Sequence, residues 1–276
     1  MIIAITGGKG GTGKSTIAVA LATELAKDKN VLLVDADVDC PNDYLLLSVK
    51  KKKIKDVTSM LPKFDFDKCI KCGSCANVCR EHAILFVKEK YPILVPEQCI
   101  GCKACMTVCP TGAILEEKQV IGYIYGSEKD NIKLVTGELK EGFEESSPIV
   151  NAVKTHIYNE KEKYDYVIID TAAGTHCSVI SALRDVDYAI AVTEPTPLGE
   201  HDLALILRLA KTLGIKTDVV INRATIANNK NSENVAKKFG VEIIARVPYS
   251  EEILRQYSKG EPIKHKSIET LAAKLK

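Results

Sequence analysis

The chain has 276 residues, 46% of them hydrophobic and 27% charged, with a net charge of +2. That is an ordinary globular composition, long enough for one or two domains, and its scattered, balanced charge excludes an electrostatic case for nucleic acid as the main partner. No apolar stretch approaches the ~18–20 residues that span a bilayer, and the start "MIIAITGGKGG" lacks the basic region of a secretory signal, so a cytoplasmic chain without a membrane partner is expected.

The opening "MIIAIT" reads as a buried strand, "GGKGGTGKST" follows, and "IAVALATELAKD" has helical apolar spacing, giving an expected helix near 14–27. Strand, glycine-rich loop and helix in that order are the context of a phosphate-binding loop, and Gly8, Gly13, Lys14 and Ser15 fit G-x-x-x-x-G-K-[ST]. Gly8, Gly10, Gly11 and Gly13, with Thr12 and Thr16 in the same run, let backbone N–H groups wrap phosphates at a helix N-terminus. Lys14 is expected to reach the β- and γ-phosphates of ATP, and Ser15 to ligate Mg²⁺. Next comes "VLLVDADVDCPN", a buried strand ending in acids, with Asp39 read as a surface or structural residue and Cys40 as a small buried or half-buried thiol. The basic run Lys50 to Lys53, with Lys55, reads as a solvated loop or helix face.

Ten cysteines in a cytoplasmic chain are expected as ligands rather than disulfides, and eight of them fall between residues 69 and 109. They form two runs of C-x2-C-x2-C-x3-C: Cys69, Cys72, Cys75, Cys79 and Cys99, Cys102, Cys105, Cys109. "CIKCGSCANVCREHAI" and "CIGCKACMTVCPTGAI" match at eight of sixteen positions, thirty residues apart, so the runs are an internal repeat. Zinc ribbons use paired C-x2-C knuckles, which is not this pattern. Three closely spaced thiolates suit three irons of one cube, and Gly73, Ser74 and Ala104 are small enough to let backbone amides approach the sulfides. From Lys63 to Glu117 there are seven Lys/Arg and seven Asp/Glu, so charge gives no argument for a basic redox partner.

Beyond residue 117, "YDYVIIDTAAG", "DYAIAVTEP" and "KTDVVINRA" read as further strands, with helices expected near 146–162, 199–213, 229–239 and 250–258. Short apolar strands alternating with amphipathic helices indicate an α/β fold, a doubly wound, mostly parallel sheet. In the C-terminal "SIETLAAKLK", Ile268, Leu271, Ala272 and Leu275 have helical spacing and are expected to pack on the core.

The cysteine spacing resembles that of bacterial two-cluster ferredoxins, in which the fourth Cys of each run ligates the other cluster. This implies one [4Fe-4S] cluster on Cys69, Cys72, Cys75 and Cys109 and a second on Cys99, Cys102, Cys105 and Cys79. Pro110 follows the second run as in that family, whereas Arg80 stands where the first run would have Pro. A second lysine, Lys9, in "KGGTGKST" resembles the deviant Walker A signature of the MinD/ParA superfamily of P-loop ATPases. That resemblance, which covers nearly everything outside 63–117, implies that Lys9 reaches the nucleotide of a partner subunit in an ATP-dependent dimer. It also implies Asp35 near Mg²⁺, Asp37 positioning the attacking water, Asp170 at the Walker B position with Gly174 in the switch after it, Asn222 against the adenine, and Pro248 in a base-lining loop.

The expected domains are therefore an ATPase in two parts, 1–62 and 118–276, with a two-cluster ferredoxin inserted at 63–117. Cys177 follows Asp170 by seven residues; the family resemblance makes it a candidate for a third, subunit-bridging cluster or for one in transit, and the alternative is a helix-start thiol that ionises more readily there and has no partner. The neighbouring His176 reads as a surface residue. The expected activity is ATP hydrolysis coupled to electron transfer, in a homodimer or a heterodimer with a related ATPase, toward a redox or metalloprotein partner. The alternatives are an ATPase that assembles or delivers an iron–sulfur or other metal centre, and a positioning ATPase whose clusters only sense.

Overall fold

The computed structural model describes residues 1–276. In chain order the first half contains β1 (Ile2–Thr6), α1 (Lys14–Leu25), β2 (Val31–Ala36), α2 (Asp43–Leu46), β3 (Lys52–Phe64), α3 (Ser74–Val78), β4 (Ile84–Leu85), β5 (Ile93–Leu94), α4 (Ala104–Thr107), β6 (Ile114–Lys129) and β7 (Ile132–Leu139). The second half contains α5 (Ser147–Tyr158), β8 (Tyr166–Thr171), α6 (Cys177–Leu183), β9 (Tyr188–Thr193), α7 (Pro197–Thr212), β10 (Thr217–Ile221), α8 (Lys230–Phe239), β11 (Ile243–Arg246), α9 (Glu251–Ser258) and α10 (Lys266–Leu275).

One nine-stranded sheet has the order β11-β10-β9-β1-β8-β2-β7-β6-β3. Every neighbouring pair from β11 to β7 is parallel. β1, β2, β8 and β9 are buried at every position, because helices cover both faces and each residue of such a strand meets a core. Alternate residues divide between those cores: Ile3, Ile5, Leu33 and Ile168 face α1 and α10, while Leu32, Val34, Val167 and Ile169 face the other way, with α5. Helix α1 is buried continuously from Ile17 to Ala22, since the sheet lies on one side and α10 on the other. Ile268, Leu271 and Ala272 of α10 pack on that core.

The parallel order ends at β7. There β6 adds antiparallel, and β3 pairs antiparallel with β6 in a long ribbon. Its register runs from Lys52↔Gly126 to Phe64↔Ile114, with irregularities between Lys53 and Lys55 and between Val57 and Thr58. Residues 63 and 117 lie within the ribbon, and 65–113 sit beyond its end, closed by Asp65 N–H donating to the Ala113 carbonyl at 2.7 Å. This terminal segment holds α3, α4 and the small β4–β5 pair, around a buried trio of Ile84, Cys105 and Ile114.

Three local expectations change. The run Lys50–Lys53 is a loop only at Lys50 and Lys51: Lys52 and Lys53 begin the edge strand β3, where exposed lysines discourage another strand from adding to the open edge. Cys40 is exposed rather than buried, because the chain turns outward after β2. Helix α6, whose seven residues are too few for a clear apolar period, is missing from the expected helices, although it begins at Cys177, where a helix start is one reading.

Candidate functional site

The loop between β1 and α1 closes on Gly13, which has φ 90° and caps the helix. A Cβ there would lie 2.2 Å from Asn222 Nδ2, so only glycine fits. Asn222 Nδ2 donates to the Thr12 carbonyl at 2.8 Å, tying the end of β10 to the loop, and Gly174 N–H donates to the Gly7 carbonyl at 3.0 Å. The Lys14 ammonium donates to the Lys9 carbonyl at 3.3 Å. Burial holds that ammonium below its usual pKa range, against the pull of Asp170 and Asp37. A cleft of about 320 Å³ opens beside the loop, and Gly10, Gly11, Lys14, Ser15, Thr16, Asp37, Asn222 and Pro248 line it. Gly8 and Thr12 lie behind that surface: Gly8 is packed on the Asp202 backbone and Thr12 is buried.

Lys9 is turned toward its own chain. Its ammonium pairs with Glu194 Oε1 at 2.9 Å, and Arg223 Nη1 holds Glu194 Oε2 at 3.1 Å. Burial alone would raise the Glu194 carboxyl, but Lys9 and Arg223 hold it below the usual carboxylate range.

Asp35 and Asp170 end neighbouring strands and are register partners across β2 and β8. The turn after β2 wraps around Asp35, whose Oδ2 accepts Asn42 N–H at 2.9 Å and Asp43 N–H at 3.1 Å. That turn brings in Asp43, and carboxylate oxygens of Asp35, Asp43 and Asp170 all lie within 4.8 Å of one another. Burial pushes all three carboxyls up, Asp170 to about 7, where the Ser15 hydroxyl and Lys14 work in the opposite direction. Burial also raises Asp37, with Lys14 opposing. Asp39 is exposed.

Beyond the ribbon, Cys69, Cys72, Cys75 and Cys109 line one small cavity, with Gly73 and Phe86 in its wall. Burial raises the Cys99 thiol, and Cys79 and Cys102 add to the rise. The Cys105 thiol is pushed up to about 11, chiefly by burial. Left-handed backbone recurs at the repeat spacing: Lys71, Gly73 and His82 in the first half, Gly101, Lys103 and Gly112 in the second. Ser74 hydrogen bonds lower the Cys72 thiol through side chain and backbone. Ala113 N–H donates to Cys109 Sγ at 3.3 Å. Cys177 is exposed at the start of α6, beside the exposed His176.

Sequence reasoning missed Asp43, Glu194 and Arg223. Asp43 is one of several acids between residues 35 and 43, and nothing in their spacing marks which turn back inside. Glu194 lies 185 residues from Lys9, and only the β1–β9 pairing brings them together.

A glycine-rich loop joining a buried strand to a helix, with acids at the ends of adjacent parallel strands, defines a P-loop nucleotide-binding protein. The chain belongs to the CobQ/CobB/MinD/ParA nucleotide binding domain family, which it matches over residues 3–263, and is a MinD/ParA-type ATPase. It is 36% identical over 262 residues to an uncharacterized protein of Methanocaldococcus jannaschii, covering 95% of this chain and 90% of that one. It is 25% identical to the iron-sulfur cluster carrier protein of the same organism, over 95% of this chain and 77% of that one. Its fold is similar to that of the septum site-determining protein MinD of Pyrococcus horikoshii in complex with Mg-ADP, with a TM-score of 0.62, 21% identity, and coverage of 99% and 95% of the two chains. No helix is long and apolar enough to cross a membrane.

Proposed function

We propose that this chain is an ATP-gated iron–sulfur protein, in which a MgATP-dependent dimer couples nucleotide binding and hydrolysis to electron transfer through two [4Fe-4S] clusters. The observation that carries the reading is the cavity lined by Cys69, Cys72, Cys75 and Cys109, since the last thiol comes from the other sequence run. Cys79 lies correspondingly with Cys99 and Cys102. Four thiols around one space, with backbone N–H groups aimed at sulfur, form a donor set that fits a cuboidal cluster. Such clusters, when bound, exchange single electrons.

The rest of the chain's own residues supply nucleotide chemistry in this reading. Lys14 and the loop amides bind phosphates, Ser15 with Asp35 and Asp170 holds Mg²⁺ directly or through water, and Asp37 orients the attacking water. Asn222 and Pro248 face the base. Lys9 leaves Glu194 to reach the partner's nucleotide. The ATPase is 1–62 with 118–276, and the ferredoxin insert is 63–117. The insert's ribbon supports coupling: Leu139 N–H donates to the Val38 carbonyl at 2.8 Å, beside Asp37, and Gly101 packs against the Ser59 side chain and the Met60 backbone of β3.

A second reading, assembly or delivery of an iron–sulfur centre, is favoured by the likeness to a cluster carrier protein. The exposed Cys177 is the thiol that would hold such cargo, or a third cluster between subunits. The two readings separate in one experiment. Anaerobic, reduced protein is mixed with an artificial acceptor, with and without MgATP, and followed optically. Faster electron loss with unchanged iron content supports the redox reading. Iron leaving the chain for an apo-acceptor, at an unchanged electron-loss rate, overturns it in favour of delivery.

A further inference from the structure

Asp43 stands out among the buried polar groups. It is 0% exposed, and neither of its carboxylate oxygens has a hydrogen-bond partner. Its backbone N–H is already used on Asp35, so the turn fixes the residue with its side chain pointing inward. The side chain points at two more acids, Asp35 and Asp170, each 1% exposed. Asp35 is satisfied by backbone N–H groups, but Asp170 and Asp43 are not.

Charge makes this arrangement costly as it stands. Three carboxylates meet within 4.8 Å; buried Lys14 offsets the charge of Asp170 alone, and Asp37 adds negative charge against all three. Ionised, the three acids with Lys14 carry an excess of two negative charges, which Asp37 only increases, and like charges so close in a dry site repel strongly. A divalent cation cancels that excess. The donors are all hard oxygens, the preference of Mg²⁺ and Mn²⁺ and a poor set for thiophilic metals.

We propose that Asp43, Asp35 and Asp170 form a divalent-cation site beneath the phosphate loop that takes Mg²⁺ or Mn²⁺ before nucleotide arrives. Asp43 is the residue that makes the site independent of nucleotide, because it adds a ligand from the protein where phosphate oxygens would otherwise be needed. The cation then lies ready beside Ser15 and Lys14 when phosphates enter. This proposal rests on the Mg²⁺ role given above to Asp35 and Asp170 and adds Asp43 to it; it stands whether or not the cysteines hold clusters.

The test uses the full-length protein stripped of nucleotide and titrated with Mn²⁺, with free Mn²⁺ read by electron paramagnetic resonance. Mn²⁺ is chosen because thiols compete poorly for it. One tight site per chain is expected without nucleotide, weakened roughly 10–100-fold in Asp43→Asn and unchanged in the exposed Asp39→Asn. Melting gives a second reading: Asp43→Asn should melt above the parent protein in EDTA, where repulsion is relieved, and below it in Mn²⁺. If the parent protein takes up Mn²⁺ only with ADP or ATP present, the proposal is wrong and the acids are kept neutral by protons. Equal Mn²⁺ binding by Asp43→Asn and the parent protein would overturn it as well, and the titration of the parent protein decides even if the variant does not fold.

Discussion

The sheet-bearing body and the segment beyond the ribbon differ in how much apolar core they hold. The body has apolar clusters of 28, 16 and 13 buried residues, and its functional groups stand at the ends of strands locked from both faces. The segment 65–113 supplies Ile84 and Cys105, packed on Ile114 at the ribbon's end, while Phe66, Ile70, Val87, Ile93 and Ile100 remain exposed. A unit this small cannot offset the chain entropy of its ordering by apolar burial alone. In the proposed reading its eight thiols serve as structure as well as chemistry, the bound clusters supplying what the core lacks, as metal binding does in other small domains. The body organises its site by packing, and in the proposed reading the insert organises its own by ligation.

The largest effect expected from this contrast follows removal of iron. Chelation under oxidising conditions should unfold 65–113 and leave the sheet intact, because the body's clusters do not involve that segment. Amide exchange should show complete loss of protection in α3, α4 and β4–β5, with β1, β2, β8 and β9 still protected. Cooperative loss of both regions would mean that the insert is integral to the body's core.

The next effect probes the crossed grouping. Cys109→Ser should lower iron from about eight to about four atoms per chain, and the cluster lost should be the one held by Cys69, Cys72 and Cys75. Double variants separate the cases. Adding Cys72→Ser to Cys109→Ser should remove no further iron, whereas adding Cys102→Ser should remove the rest. The opposite pattern would mean that each sequence run holds its own cluster.

How much of this was legible in the sequence divides along the same line. The body's strands were readable because continuous apolar runs such as "VLLVDA" and "YVIID" mark strands covered on both faces, and the loop at 8–15 carries its chemistry in its spacing. The repeat of the cysteines was equally plain. The ribbon was hidden, since β3 mixes lysines with apolar residues at an open sheet edge and its partner β6 lies fifty residues on, starting at Ile114. Asp43 and Glu194 were hidden for a related reason: each acquires its role from a turn or a strand pairing, not from its neighbours in sequence.

A smaller effect concerns Lys9. Its pair with Glu194 is partly exposed, 32% on the lysine side, so it is worth about 1 kcal/mol or less. Glu194→Gln weakens that hold without shortening the side chain. If Lys9 must leave Glu194 to reach a partner subunit, nucleotide-dependent dimerisation should tighten by up to about fivefold, read by sedimentation with a non-hydrolysable ATP analogue. Weaker dimerisation would mean that Glu194 positions Lys9 rather than restraining it.

The central claim is that body and insert are coupled through β2, β7 and the ribbon. Midpoint potentials of the clusters, taken without nucleotide, with Mg-ADP and with a Mg-ATP analogue, test it most directly. Coupling between linked sites is commonly about 1–3 kcal/mol, and for a one-electron couple ~1.4 kcal/mol corresponds to ~59 mV. The ATP analogue should therefore shift the potential by some tens of millivolts, and reduction should change affinity for the analogue by the same factor. Three identical potentials, in protein that still dimerises with the analogue, would contradict the coupling and leave the insert as a passenger on the ATPase.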